Sequence, residues 1–180
     1  AQYQVEHLDY DDHKAFVRHV EPDYYTTALT HTRVEVLDED SPASPTLQSP
    51  VAAHGEVLVS RKVVGFKKVR FHTHENVGYG DVTLPAIEMH TTACWVTIPA
   101  AALEALGDHA LDALSGLAHA LHISATLILM CTTRDIGRAI GDQSTGIFLS
   151  APEPIDRDGS AFTPTLFLYD SVPGGVGLAD

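Results

Sequence analysis

The sequence predicts an α+β fold, with a β-rich first half and a second half of mixed helix and strand. Three observations indicate this fold. Residues 3–99 alternate apolar and polar side chains and contain many β-branched residues, which is typical of half-buried strands. Residues 100–122 instead place apolar side chains three and four positions apart, which is typical of a helix. Residues 146–150 and 165–169 are short apolar runs of strand type.

The β-rich half contains five or six short strands, separated by turns with acidic residues or glycine. Their succession predicts a small antiparallel barrel-like half. Residues 38–50 combine acidic side chains with three prolines, so we expect a solvated loop that interrupts the sheet. The predicted strands lie at residues 3–8, 15–20, 30–37, 55–60, 63–74 and 92–98.

The second half begins with the predicted helix at residues 100–122, whose apolar side chains form one stripe. Pro99 suits the first turn of this helix, whereas Gly107 and Gly116 weaken it. Periodicity leaves open whether residues 125–131 continue the helix or form a strand. The two later strands are separated by a loop rich in Pro, Asp and Gly at residues 151–163. We therefore predict two domains, at residues 1–99 and 100–180.

The composition limits the possible partners. Acidic residues number 24 against 11 Lys and Arg, which gives a formal charge of −13 and argues against strong, non-specific binding to nucleic acid or to anionic membranes. Cys94 and Cys131 form no CxxC pair, so we expect a reduced, cytoplasmic protein. No apolar run approaches about 18 residues without polar interruption, and no basic-then-apolar leader opens the chain, so we expect no membrane partner. The chain opens without Met and stops where a helix would begin near Val176, so we expect it to be a piece of a longer protein.

One basic cluster stands out against this acidic background. Five of the 11 basic residues lie within ten positions, where alternate side chains of a strand could meet a phosphate backbone. The alternative is a solvated strand whose lysines protect a sheet edge. The tentative nucleic-acid contacts are Arg61, Lys62, Lys67, Lys68 and Arg70.

Two other groups of residues suggest chemistry or turn formation. His72 and His74 are weak candidate metal ligands, because alternate residues of a strand face the same side; surface histidines are the alternative. The sequence has no phosphate-binding loop, no GxSxG, no HExxH and no zinc-type cysteine spacing, so we predict no catalytic residue. We assign a structural role, in turns where carboxylates accept backbone N–H groups, to Asp135, Asp170, Gly174, Gly175 and Gly177.

Seven motifs, taken in order, resemble the C-terminal region of one group of helicases. The motifs lie at residues 23–26, 63–68, 84–85, 88–99, 118–122, 134–137 and 168–177. The group comprises the superfamily 2 DEAD/DEAH-type DNA helicases related to the mitomycin repair factor and to the yeast RecQ4-like helicase. The resemblance covers nearly the whole chain.

This resemblance implies a motor of two RecA-like domains upstream, which binds ATP and Mg²⁺ and translocates on DNA. Residues 3–99 would be an accessory β-barrel part, and residues 100–180 the first half of a zinc-binding domain long catalogued as of unknown function. Family members bind zinc through a later Cys-rich segment, which Cys94 and Cys131 do not match. We therefore expect no cofactor in this segment, and ATP, Mg²⁺ and Zn²⁺ only in the longer parent protein.

We accordingly predict a non-catalytic accessory segment of an ATP-dependent DNA helicase that acts in DNA repair. It would support the motor domains and guide the DNA strand. A rival hypothesis is an acidic protein-interaction module that never contacts nucleic acid. A small metal-dependent hydrolase built around His72 and His74 is a third hypothesis.

Overall fold

The fold is mostly β, with few helices and open antiparallel sheets. A computed structural model describes residues 2–39, 50–142, 147–148 and 163–179. The nine strands are β1 Gln2–Asp9, β2 Lys14–Val20, β3 Tyr24–Glu39, β4 Val51–Arg70, β5 Asn76–Asp81, β6 Ile87–Thr97, β7 Ile136–Asp142, β8 Ile147–Phe148 and β9 Thr165–Asp170. The helices are α1 Ala100–Glu104, a 3₁₀ helix at Gly107–His109 and α2 Ala110–Leu129. Most of the two predicted loops, at residues 38–50 and 151–163, lies outside the described residues.

The strands form open sheets where the sequence suggested a barrel. β1 and β2 make a two-stranded sheet, and seven strands make a second sheet in the order β3-β4-β6-β9-β7-β8, with β5 paired to β4. In the part of the chain that the structure describes, β3 and β8 stand at opposite ends of this order, so the sheet does not close. The coarser prediction of α and β elements together agrees with this architecture.

Two compact units divide the chain differently from the boundary predicted near Pro99. The first unit comprises Ala1–Leu29 and Val63–Thr83, and the second comprises Thr30–Lys62 and Leu84–Asp180. β6 pairs with β9 from Ala93↔Tyr169 to Thr97↔Thr165, so strands from before and after residue 99 belong to one sheet. Local periodicity does not reveal this pairing, because the partner strands lie about 70 residues apart in the sequence.

The first unit contains the antiparallel pairings β1–β2 and β4–β5. β1 pairs with β2 from Gln2↔Val20 to Asp9↔Lys14, and a bulge interrupts the register between Val5 and His7. β4 pairs with β5 from Gly65↔Asp81 to Val69↔Asn76. β5 was not predicted, because its glycine-rich sequence NVGYGD has few strand-forming residues.

The second unit has a buried core on each face of its sheet. One core consists of Val34, Ala53, Val57, Val59, Ala93, Trp95, Ala139, Phe148, Phe167 and Tyr169. The other core joins Leu114 and Ala118 of α2 to Ile98 and Leu166. The imidazole Nε2 of His122 also lies 2.9 Å from the carbonyl oxygen of Ile136. These contacts attach α2 to the face of the sheet opposite Trp95.

The predicted helix at residues 100–122 is interrupted and then extended. Pro99 is the residue before α1 and not its first residue, and Gly107, with φ of 52°, separates α1 from α2. α2 continues to Leu129, so most of the ambiguous stretch at residues 125–131 is helical. Met130 ends α2 in a left-handed conformation, with φ of 51° and ψ of 40°.

Aromatic rings cover two glycines of β7. Gly137 pairs with Tyr169 of β9, and a Cβ atom at Gly137 would overlap the Tyr169 ring. A Cβ at Gly141 would overlap the ring of Phe148 in the same way. Gly137 therefore lies within a strand, where the missing side chain makes room for an aromatic ring.

A Gly137→Ala substitution should lower the free energy of unfolding by about 1–3 kcal/mol, because the buried Tyr169 ring would have to move. Urea denaturation followed by the fluorescence of Trp95, the one tryptophan, would measure this change. Gly116→Ala is the matched control, since no atom lies within 4 Å of a Cβ there. Gly137→Ala should also be measured in a Tyr169→Ala background, which lacks the ring. If it destabilised that background as much as the protein with Tyr169, the overlap with the ring would be contradicted.

Candidate nucleic-acid interface

The five basic residues of the predicted contact lie on β4 but in different units. Arg61 and Lys62 are in the second unit, and Lys67, Lys68 and Arg70 are in the first. Arg61, Lys62 and Arg70 are exposed, and the two remaining lysines are half-buried. The first unit therefore holds three of the five candidates.

Arg61 acts electrostatically on a buried phenol of its own unit. Burial raises the pKa of the Tyr169 hydroxyl, while the positive charge of Arg61 and a side-chain hydrogen bond with Thr32 lower it. Burial is the larger effect, so the pKa of Tyr169 stays above its ordinary value and the phenol is uncharged near neutral pH.

Arg70 lies between two carboxylates. Its Nε atom is 3.6 Å from Oδ2 of Asp23, and its Nη1 atom is 3.5 Å from Oε2 of Glu75. All three side chains are exposed, so each ion pair contributes little stability. The carboxylates nevertheless offset the charge of Arg70, which makes it the weaker phosphate ligand of the three candidates in this unit.

Lys68 lies against an aromatic ring. Its Nζ atom is 5.3 Å from the ring centroid of Tyr24, within the range of a cation–π interaction. Tyr25, the next residue, packs on Phe71 with ring centroids 5.4 Å apart. The two tyrosines therefore have different neighbours, as expected for adjacent residues of a strand.

Lys67 has an exposed aromatic neighbour that the sequence analysis missed. It pairs with Tyr79 across the β4–β5 ladder, so both side chains lie on the same face. Tyr79 is 69% exposed, and glycines flank it on both sides. An exposed tyrosine beside a lysine is able to stack on a base while the ammonium group meets a phosphate. The signal was the lone aromatic in Gly78-Tyr79-Gly80, within a segment not predicted as a strand.

The predicted metal ligands do not lie on a strand. β4 ends at Arg70, and His72 and His74 lie in the following turn with φ of 67° and 56°. The alternation that would have placed both imidazoles on one face is therefore absent. Across residues 2–39, 50–142, 147–148 and 163–179, no group of three or more His, Cys, Asp or Glu side chains is arranged to hold a metal ion. The described residues thus do not fit a zinc site, and both described cysteines are free thiols.

Asp135 accepts its hydrogen bonds from Thr132, three positions earlier in the turn, and not from a following glycine. Its Oδ2 atom accepts the backbone N–H and the hydroxyl of Thr132, each at 2.7 Å. The side-chain and backbone hydrogen bonds from Thr132 lower the pKa of the Asp135 carboxyl. Asp135 thus stabilises the turn between α2 and β7.

Asp170 accepts backbone N–H groups from the glycine-rich segment that follows it. Its side chain is fully buried, and Oδ2 lies 2.6 Å from the N atom of Val176 and 3.3 Å from that of Leu178. Gly174, Gly175 and Gly177 have φ of 83°, 71° and 78°, a conformation in which glycine avoids strain. These residues form a structural turn that closes on Asp170.

The amides of this turn are directed at acceptors within the protein. Gly174 donates to the carbonyl of His90 at 2.8 Å, and Gly175 donates to that of Val172 at 3.0 Å. The hydroxyl of Thr91 donates to the carbonyls of Asp170 and Val172. These hydrogen bonds favour a structural role for the turn over a phosphate-binding one.

The comparisons with known proteins point to helicases. No protein-family model matches the chain. Over 183 aligned residues the chain is 36% identical to an uncharacterized ATP-dependent helicase of Bacillus subtilis (strain 168), YprA, and the match covers 100% of the chain and 22% of that protein.

Two solved structures of a helicase also match. The DUF1998 helicase MrfA bound to DNA gives a TM-score of 0.59 at 33% identity, over 98% of this chain and 22% of that one. The same helicase bound to DNA and AMPPNP gives a TM-score of 0.53 at 32% identity, and the match covers 99% of this chain and 19% of that one. The chain thus spans about a fifth of the length of the helicases that it matches. It is homologous to one region of ATP-dependent helicases.

Proposed function

We propose that these 180 residues are a non-catalytic accessory region of a longer ATP-dependent DNA helicase, which supports the motor domains and guides the DNA strand. The observation that carries the proposal is the similarity to helicases over the whole chain. The function of the longer protein would lie in DNA repair in the cytoplasm. ATP, Mg²⁺ and Zn²⁺ would bind outside these residues.

Within this proposal, Lys67 and Tyr79 contact DNA on one face of β4, and Lys68, which lies beside Tyr24 on the opposite face, contacts a second phosphate. The two ammonium groups would meet phosphates, and the Tyr79 ring would stack on a base. Arg70 is the weaker candidate because of its two carboxylate neighbours. Such contacts position the strand without reading its sequence.

The first experiment is an ATPase assay of the full-length protein that carries this sequence, with and without DNA. Stimulation by DNA is the expected result. A protein of full length with no DNA-stimulated ATP hydrolysis would remove the helicase proposal.

Charge reversal at Lys67 and Lys68 should weaken DNA binding of the full-length protein on the order of tenfold at low salt. The dependence of log K on log salt should become shallower by about 0.7–0.9 for each lost phosphate contact. Tyr79→Ala should lower the affinity for single-stranded DNA by about 1–3 kcal/mol and leave the salt slope unchanged. Fluorescence anisotropy at several salt concentrations measures both quantities.

The matched control is charge reversal at Lys14 and Arg18, two exposed basic residues of the same unit that pair with Asp12 and Glu6 at 2.7 Å. Their reversal should change DNA affinity much less than reversal at Lys67 and Lys68. Equal effects of the two double variants would mean that only net charge matters, and the contact assignment would be rejected.

The second candidate function is an acidic protein-interaction module, which the formal charge of −13 favours. In that case a basic partner would dock on the acidic surface without DNA. Unchanged DNA affinity after the reversals at Lys67 and Lys68, together with an unchanged salt slope, would favour this alternative.

A further inference from the structure

One side of α2 is apolar although it faces outward. Gly116, Leu117, Ala120, Ile123, Leu127 and Ile128 are all exposed, and we call these six residues the outer face of α2. Leu127 and Ile128 are 75% and 77% exposed. A helix of 3.6 residues per turn places all six on one side, away from the buried Leu114 and Ala118, and the exposed Ser124 lies among them as an uncharged polar residue.

This outer face carries no charge. Asp112 is the only Asp, Glu, Lys or Arg among the 20 residues of α2, and it lies outside the six. A helix that meets water on one side normally places charged or polar residues there. Contiguous exposed apolar surface of this kind marks an interaction site.

We propose that the outer face of α2 docks an apolar helix from the part of the helicase polypeptide that lies outside these 180 residues. This inference rests on the proposed function. The chain spans about a fifth of the matching helicases, so most of such a polypeptide lies elsewhere and is tethered to this surface. Tethering gives an internal segment a high effective concentration compared with a separate partner. Gly116 and Ala120 leave space for close approach, and the larger side chains beside them form ridges for helix packing.

A bilayer is the less favoured occupant. Gly107–Leu129 is long and apolar enough to cross a membrane by length and composition, which alone is weak support for a span. The inner side of α2, however, is bonded to the sheet. His122 lies 2.9 Å from the carbonyl oxygen of Ile136, and Nη1 of Arg138 lies 2.8 Å from Nδ1 of His119. Insertion of α2 across a bilayer would break these contacts and bury polar groups.

The test is photo-crosslinking in the full-length protein, with p-benzoylphenylalanine placed at Ala120 or at Leu127. Light and isotopically heavy copies are mixed before irradiation, so that crosslinks within one polypeptide are distinguished from crosslinks between two. Ser115, which is exposed on another side of α2, is the control position. The expected result is crosslinks from both outer-face positions to one segment outside residues 1–180, without isotope mixing, and none from Ser115.

Isotope-mixed crosslinks would identify a second copy as the occupant and overturn the proposal. Lipid adducts formed with phosphatidylglycerol vesicles, or no crosslinked peptide at all, would also overturn it.

Ala120→Glu should abolish the crosslink from Leu127, whereas Ser115→Glu should leave it intact. The ATPase assay on the same preparation separates the two proposals. Crosslinks within the polypeptide without DNA-stimulated ATP hydrolysis would support the docking surface and reject the helicase proposal. DNA-stimulated ATP hydrolysis without such crosslinks would reject only the docking surface.

Discussion

A Phe167→Ala variant should lose about 3–5 kcal/mol of the free energy of unfolding. Phe167 is 1% exposed on β9, and its ring centroid lies 5.9 Å from that of Trp95 and 6.3 Å from that of Phe148. β9 pairs with β6 on one side and with β7 on the other, so the neighbours cannot close the resulting cavity without moving paired strands. Urea denaturation followed by Trp95 fluorescence would measure the loss.

Two variants control for non-specific effects at this position. Phe167→Leu keeps most of the apolar volume and should cost clearly less than the alanine variant. Leu168→Ala truncates the next residue, which is only half-buried on the opposite face of the sheet, and should also cost less. A Phe167→Ala variant no less stable than Leu168→Ala would show that Phe167 is not central to this core.

An Asp170→Ala variant should also be destabilised strongly, by about 3 kcal/mol, because two backbone donors would lose a charged acceptor. The donors are the amides of Val176 and Leu178, and the carboxylate that receives them is fully buried. Trp95 fluorescence in urea would measure the free energy of unfolding. Hydrogen exchange at the two amides would show directly whether the turn has opened.

Asp170→Asn is the informative companion, because its amide oxygen keeps the shape and still accepts the two N–H groups. It should cost less than the alanine variant, since a neutral acceptor is weaker but the donors stay paired. The other carboxylate oxygen, Oδ1, is buried without a hydrogen-bond partner, so burying this carboxylate costs free energy. An alanine variant as stable as the asparagine variant would mean that the turn does not depend on this acceptor.

The sequence predicted correctly those strands and helices in which apolar side chains alternate with polar ones according to which side is buried. The alternation at residues 55–60 belongs to β4, where Val57 and Val59 are fully buried. The apolar spacing at residues 100–122 identified most of α2, although Gly107 breaks the helix. β5 and β7 were not predicted, because their glycines have low strand propensity. In the structure, aromatic rings pack over Gly80, Gly137 and Gly141, where a side chain would overlap them.

The candidate site was harder to predict than the fold. The cluster of basic residues was visible in the sequence, but the carboxylates that offset Arg70 come from Asp23 and Glu75. Tyr79 becomes a neighbour of Lys67 only through the pairing of β4 with β5. Cross-strand pairing is a tertiary property, so the composition of one strand cannot reveal which groups share its surface.

The position of β6 has a consequence for how the protein opens over time. β6 pairs with β4 from Ile87 to Thr97 and with β9 from Ala93 to Thr97, so the amides of residues 93–97 should exchange with solvent only when the sheet of the second unit comes apart. β1 and β2, a two-stranded sheet whose Tyr3 and Phe16 are 60% and 56% exposed, should exchange through small local openings. Among the described strands, a protease would therefore cut this hairpin before β6, and the fragments that contain Trp95 would outlast those from the hairpin.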